Sequence, residues 1–269
     1  MNFLRTRLLL IATPLLMCGA AHASSTWDIT KSGSGSGCTS SSAQIKCSVD
    51  GVDLTAKAYY SNSANGTFRA GSLNRVSNDY IGVQSGSGST VNESTSSPHH
   101  AIDNIGSSGA TYAELLHLEF SKAVDLISVL ATWTGNQHSS SYDADFQIYR
   151  WTGGEGTAPT LTSLSANSVA SGWALAASAD FKDGKNFTLQ DGALYSSHWL
   201  VTTAFGGTND AFKLKTFTAT VCAYTVTNGA CKPPGGSDPD GGGSVPEPGT
   251  LALAALGALG VMRMRRKPA

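Results

Sequence analysis

The chain has 269 residues, a formal net charge of −1, only 14% charged residues and 30 glycines. With so few charges and no basic excess it has nothing to neutralise a phosphate backbone, which excludes a nucleic-acid partner. The length allows one large domain or two small ones, and the abundant Gly, Ser and Thr between apolar stretches fit an extracellular β-protein.

In chain order, the first 23 residues predict a secretory signal peptide. Arg5 and Arg7 precede an apolar run, Leu8 to Met17, and Ala21-His22-Ala23 supplies the small-x-small site after which signal peptidase leaves Ser24 as the first residue. Residues 24–232 are expected to form the exported domain, with Gly/Ser-rich loops at 32–42 and 85–90, followed by a Pro/Gly-rich linker at 233–245. Once both ends are removed, 12 basic and 18 acidic residues remain, a net charge near −6.

Cys18 leaves with the signal peptide. The four other cysteines fall as two pairs, each nine residues apart, and in an oxidising compartment this favours the disulfides Cys38–Cys47 and Cys222–Cys231. The spacing matches no zinc motif. Adjacent His99 and His100 point to opposite faces of an extended chain, and no H-E-x-x-H accompanies them.

Strand patterning is clearest after residue 113. In ELLHLEF, Leu116, Leu118 and Phe120 are expected on a buried face, and His117 and Glu119 on a wet one. In AVDLISVLATWTG, Ile127, Val129, Ala131 and Trp133 are expected to share a face, which makes Trp133 a core residue. DADFQIYRWTG, HWLVTTAF and DAFKLKTFTATVCAYTV read as further strands, whereas VASGWALAASADF (169–181) carries a weak helical period. The fold class is therefore all-β, an antiparallel β-sandwich of jelly-roll type with removable hydrophobic helices at both ends.

Candidate chemistry is sparse. Asp143 and Asp145, two apart on a strand, share one face and can hold a structural Ca²⁺ together with Asp103 or Asn104, because Ca²⁺ takes six to eight oxygen ligands. Trp151 and Trp173, beside Gly and Thr turns, are the candidates for stacking on carbohydrate. No G-x-S-x-G elbow is present and the cysteines are expected to be paired, so no nucleophile is assigned and the chain is expected not to be an enzyme.

The C-terminal end is Val245-Pro246-Glu247-Pro248, an apolar run of 14 residues from Gly249 to Met262, and the basic cluster Arg263, Arg265, Arg266 and Lys267. As a helix the run would be roughly 21 Å long, short for a permanent span of a bilayer core of about 30 Å. Every position except Thr250 is apolar or Gly, so the helix has no polar face for water, and the basic cluster holds it at the cytoplasmic side as a stop-transfer signal. In order and content, residues 246–269 resemble the PEP-CTERM sorting signal of exopolysaccharide-producing Gram-negative bacteria. The resemblance implies that an exosortase recognises Pro246-Glu247-Pro248 and removes the tail during delivery, with the inner membrane a transient host.

Three further motifs, Asp103-Asn104-Ile105-Gly106, Asp143-Ala144-Asp145 and Asp210-Ala211-Phe212-Lys213, are similar to elements of the exosortase-dependent surface proteins. The likeness spans about residues 99–223 and implies a surface location and a sandwich, with no assigned chemistry. The expected function is thus a non-enzymatic surface or matrix protein associated with exopolysaccharide and biofilm. The alternatives are a carbohydrate-binding module for matrix polysaccharide and, more remotely, a secreted hydrolase.

Overall fold

The computed structural model describes residues 24–31, 37–61, 63, 66–76, 79–84, 101–105, 113–135, 141–154, 156–165, 172–181, 185–190, 194–205, 207 and 209–232. The expected signal peptide, both Gly/Ser tracts apart from residues 37–42, the His99–His100 pair, Gly106, the linker beyond Lys232 and the whole sorting tail lie outside them. The chain divides into two units, Met1–Cys231 and Lys232–Ala269, and the strands belong to the first except for Lys232, the last residue of the final strand.

The first half contributes β1 (Ser24–Asp28), β2 (Cys38–Ser40), β3 (Ile45–Val49), β4 (Val52–Ser61), β5 (Arg69–Ala70), β6 (Ser72–Val76), β7 (Tyr80–Gln84) and β8 (Ile102–Asp103). The second half adds β9 (Ala113–Thr134), β10 (Asp145–Trp151), β11 (Trp173–Asp180), β12 (Lys185–Thr188), β13 (Ser196–Thr203), β14 (Ala211–Val221), β15 (Thr225–Thr227) and β16 (Ala230–Lys232), with one 3-10 turn at Leu161–Ser163. Two hairpins are closed by two-residue loops of the type their sequence dictates. Asp50-Gly51 joins β3 to β4 and Asn228-Gly229 joins β15 to β16, all four residues at positive φ, the primed-turn geometry that matches strand twist.

The 22-residue β9 organises the molecule. Its first half pairs with β4 on one side (Ser61↔Ala113 to Leu54↔Phe120) and with β13 on the other. Its second half pairs with β14 and β12. The strand therefore runs from one layer into the other, and the exposed Ser121 and Lys122 mark the passage. The first layer is β11-β10-β13-β9-β4-β3-β2. The second is β12-β9-β14, with the far edge of β14 taken in turn by β1, β7 and β8. All these strand ladders are antiparallel. The antiparallel all-β class is as read from the sequence; the single strand shared between layers is a feature the jelly-roll expectation does not include.

Aromatic side chains fill the space between the layers. Trp27 of β1 meets Phe120 edge-on at 5.1 Å, and Phe146 of β10 contacts Phe181, Phe187 and Phe212. Trp27, Phe146, Phe181 and Phe212 are fully buried, and the Trp27 indole N–H donates to Val52 O at 3.2 Å. Removing a ring such as Phe146 from this contact would cost roughly 3–5 kcal/mol.

Several sequence expectations need correction. Residues 38–40 are not loop but β2, with Cys38 directly opposite Cys47. Trp173–Asp180, read as weakly helical, is strand β11 paired with β10; tertiary pairing overrides the helix propensity of its alanines. Ile127 and Trp133 do not share the face of Val129 and Ala131. The register of β9 against β14 slips between Leu126 and Ser128 and again between Ala131 and Trp133, and each extra residue sends the next side chain to the opposite face. Trp133 is buried, but in a separate cluster with Ala101, Ala211 and Tyr80, where it lies 4.8 Å from the Lys213 ammonium. His117, expected in water, is 4% exposed.

Candidate functional sites

Both expected disulfides are formed, Cys38–Cys47 and Cys222–Cys231. Ser24, the first residue after the expected signal-peptidase site at Ala21 and Ala23, opens β1 opposite Thr220.

The acidic group is built where β10 and β14 begin and β11 ends. Asp145 and Asp180 are a cross-strand pair, and Asp143 makes an isolated parallel bridge with Asp210. Carboxylate oxygens of Asp143, Asp145 and Asp180 come within 4.8 Å of one another. They offer three of the six to eight oxygens that Ca²⁺ takes. Asp180 was missed in the sequence because its segment read as helical.

Asn104 joins this region through Asp210 rather than as a direct neighbour of Asp143. The Asp210 backbone N–H donates to Asn104 Oδ1 at 2.8 Å, and Asn104 Nδ2 donates to Asp210 Oδ2 at 2.5 Å and to Ala204 O at 3.2 Å. Gly207 is required here, since a Cβ at that position would collide with both side chains. Asp103 is engaged elsewhere: its backbone N–H donates to Glu114 Oε2, and its Oδ1 accepts from the Ile105 N–H. Burial pushes the Asp210 carboxyl up to about 6, with Asn104 holding it down and Asp145 and Asp143 pushing further up. Burial and the Asp143 charge also raise Asp145.

Trp151 and Trp173 are brought together as a cross-strand pair, ring centroids 5.2 Å apart at an interplanar angle of 61°. Both are half-buried. The Trp151 indole lies against Gly153 and Gly172, where any Cβ would strike it, and Trp173 packs into a cluster with Leu115, Leu161 and Leu200. The two rings meet edge to face rather than forming a flat platform.

A third group was not singled out in the sequence. On the outer face of the first layer, His117 Nε2 and His198 Nδ1 stand 3.2 Å apart, and the two rings are within 13° of parallel. His117 also meets the Tyr59 and Trp173 rings edge-on. Lys57 Nζ pairs with Glu119 Oε2 at 3.1 Å nearby. Ala158, Pro159, Leu161 and Thr162 line an open pocket of about 210 Å³ together with Lys57, Tyr59, His117, Glu119 and His198. Burial pushes His117 down to about 3, aided by His198 and Lys57, and burial lowers His198 as well, against the pull of Glu119. Both imidazoles are neutral at pH 7.

Residues 244–267 match the family model of the PEP-CTERM protein-sorting motif. The chain carries a PEP-CTERM sorting motif. The match takes in Pro246, Glu247 and Pro248 and the basic cluster Arg263, Arg265, Arg266 and Lys267. A PEP-CTERM motif implies export and processing by an exosortase. No curated protein and no solved structure matches the PEP-CTERM chain. Among its described residues, no helix is long and apolar enough to cross a membrane.

Proposed function

We propose that the mature domain is a non-catalytic structural component of the cell surface or extracellular matrix of a Gram-negative bacterium, held there with exopolysaccharide after an exosortase removes the tail. The sorting motif at 244–267 carries this reading. Two disulfides close to the ends of the domain support it, because such bonds persist in oxidising compartments. The test is the intact mass of the protein from the host's extracellular fraction, before and after reduction with alkylation. A species beginning at Ser24 and ending near Pro248, with four thiols appearing only on reduction, is the expected result. A full-length C-terminus found only in membranes would sink the sorting half of the proposal.

Carbohydrate binding is the second reading, favoured by the adjacency of Trp151 and Trp173. Retention on purified matrix polysaccharide that is lost in Trp151→Ala supports it. Absent retention, or retention that ignores the substitution, removes it.

A further inference from the structure

We propose that His117, Glu119 and His198 form a binding site for a zinc ion on the outer face of the first layer. The proposal is independent of the sorting reading and rests on how the sheet places three donors. His117 and Glu119 are two apart on β9, so their side chains leave the same face. His198 of β13 stands directly opposite Glu119, the closest relation two residues on neighbouring strands can have. Three donors of types that zinc accepts thus occupy adjoining positions on two hydrogen-bonded strands.

The distance between the imidazoles fits a shared ion. Two nitrogens bound to one tetrahedral Zn²⁺ at 2.0–2.1 Å stand about 3.3 Å apart; His117 Nε2 and His198 Nδ1 are 3.2 Å apart. Without metal that spacing is filled by one N–H···N hydrogen bond. When the ion enters, the proton in that bond moves to the other nitrogen of its own ring, both facing nitrogens present lone pairs, and no proton need leave the protein. Modest tilting of the rings turns the lone pairs from facing each other to converging on the ion.

His117 is 4% exposed, so packing around its ring fixes the position of the Nε2 that faces His198. Glu119 supplies the mobile ligand. Its side chain is 41% exposed and tied to Lys57, so it can turn toward the imidazoles without disturbing the core. The adjoining pocket of about 210 Å³ leaves room for a water in the fourth position. Burial keeps both rings in the neutral form that binds metal. Two imidazoles and one carboxylate suit Zn²⁺ rather than Ca²⁺, which prefers an all-oxygen shell.

The test is isothermal titration of the oxidised protein with ZnCl₂, with Co²⁺ absorption as a spectroscopic stand-in. The expected result is one ion per chain, a tetrahedral Co²⁺ spectrum, loss of binding in His198→Gln and at least tenfold weakening in Glu119→Gln. The double substitution of His99 and His100 by Ala should leave binding intact. Glu119 is half-exposed, so its variant remains informative if His198→Gln fails to fold. No zinc binding by the parent, unchanged binding in Glu119→Gln, or loss on substituting His99 and His100 would each overturn the proposal.

Discussion

The acidic group around Asp210 and the imidazole pair on the first layer meet the same difficulty in different ways. Both bury titratable side chains: Asp210 is 2% exposed, His117 4% and His198 7%. At Asp210 the fold surrounds the charge with donors, Asn104 bonding both the carboxylate and the Asp210 backbone. At His117 it supplies a single ring-to-ring bond, leaves Nδ1 without a partner, and the group sheds its charge instead. A carboxylate held by dedicated partners stays useful as an anion. A histidine buried beside a second imidazole and the Lys57 ammonium is stable as the neutral base, so the two regions should answer differently to mutation and to pH.

The largest effect should come from removing the support of Asp210. Asn104→Ala leaves a buried carboxylate without its amide partner and is expected to destabilise the domain by roughly 3 kcal/mol at neutral pH. Urea unfolding of the parent and variant measures it. A loss below about 1 kcal/mol would mean that water takes over the role of Asn104 and would remove the contrast between the two regions.

The next effect is in pH, and its sign differs between the two. His117 titrates near 3 when folded and near 6.5 when unfolded, so the unfolded chain takes up a proton first and stability falls as pH drops through 6.5. Between pH 7 and pH 5 the loss should be roughly 2 kcal/mol. Asp210 is shifted upward, so the folded state binds its proton first; its contribution is largest at low pH and declines as pH rises through 4 to 6. His117→Leu should therefore flatten the acid-side loss and leave the opposing slope of Asp210 visible. If the variant loses stability on acidification as steeply as the parent, His117 is not the group responsible.

The smallest effect concerns the carboxylates themselves. Asp143→Asn removes one of three converging charges, and in chelator it should raise stability by a few tenths of a kcal/mol. Repeating the pair in Ca²⁺ tests the expectation formed from the sequence: a Tm rise in the parent that the variant lacks. Equal Tm values for the parent in Ca²⁺ and chelator would leave this group as plain surface acid.

What could be read in advance was local. Cysteines nine apart face each other across short hairpins, and Leu116, Leu118 and Phe120 point inward because alternation within one strand decides it. What could not be read depends on residues far along the chain. His117 looked wet because part of what surrounds it, Ala158, Pro159, Leu161 and Thr162, comes some forty positions later. Asp180 escaped notice because only the register of β11 against β10 sets it opposite Asp145. The two slips in β9 are defined by its pairing with β14, about ninety residues away, and no periodicity within β9 announces them. The same holds for the imidazole pair, whose members are 81 residues apart.

The Cys222–Cys231 bond also decides how the domain bears a pull. Immediately before it lies β14, eleven residues flanked by β9 on one side and by β1, β7 and β8 on the other. Tension applied to the tail reaches the disulfide at Cys231 and crosses to Cys222, bypassing the hairpin between them, so β14 is the next strand to take the load. The strand that takes the load beyond the disulfide is thus one paired along both of its edges.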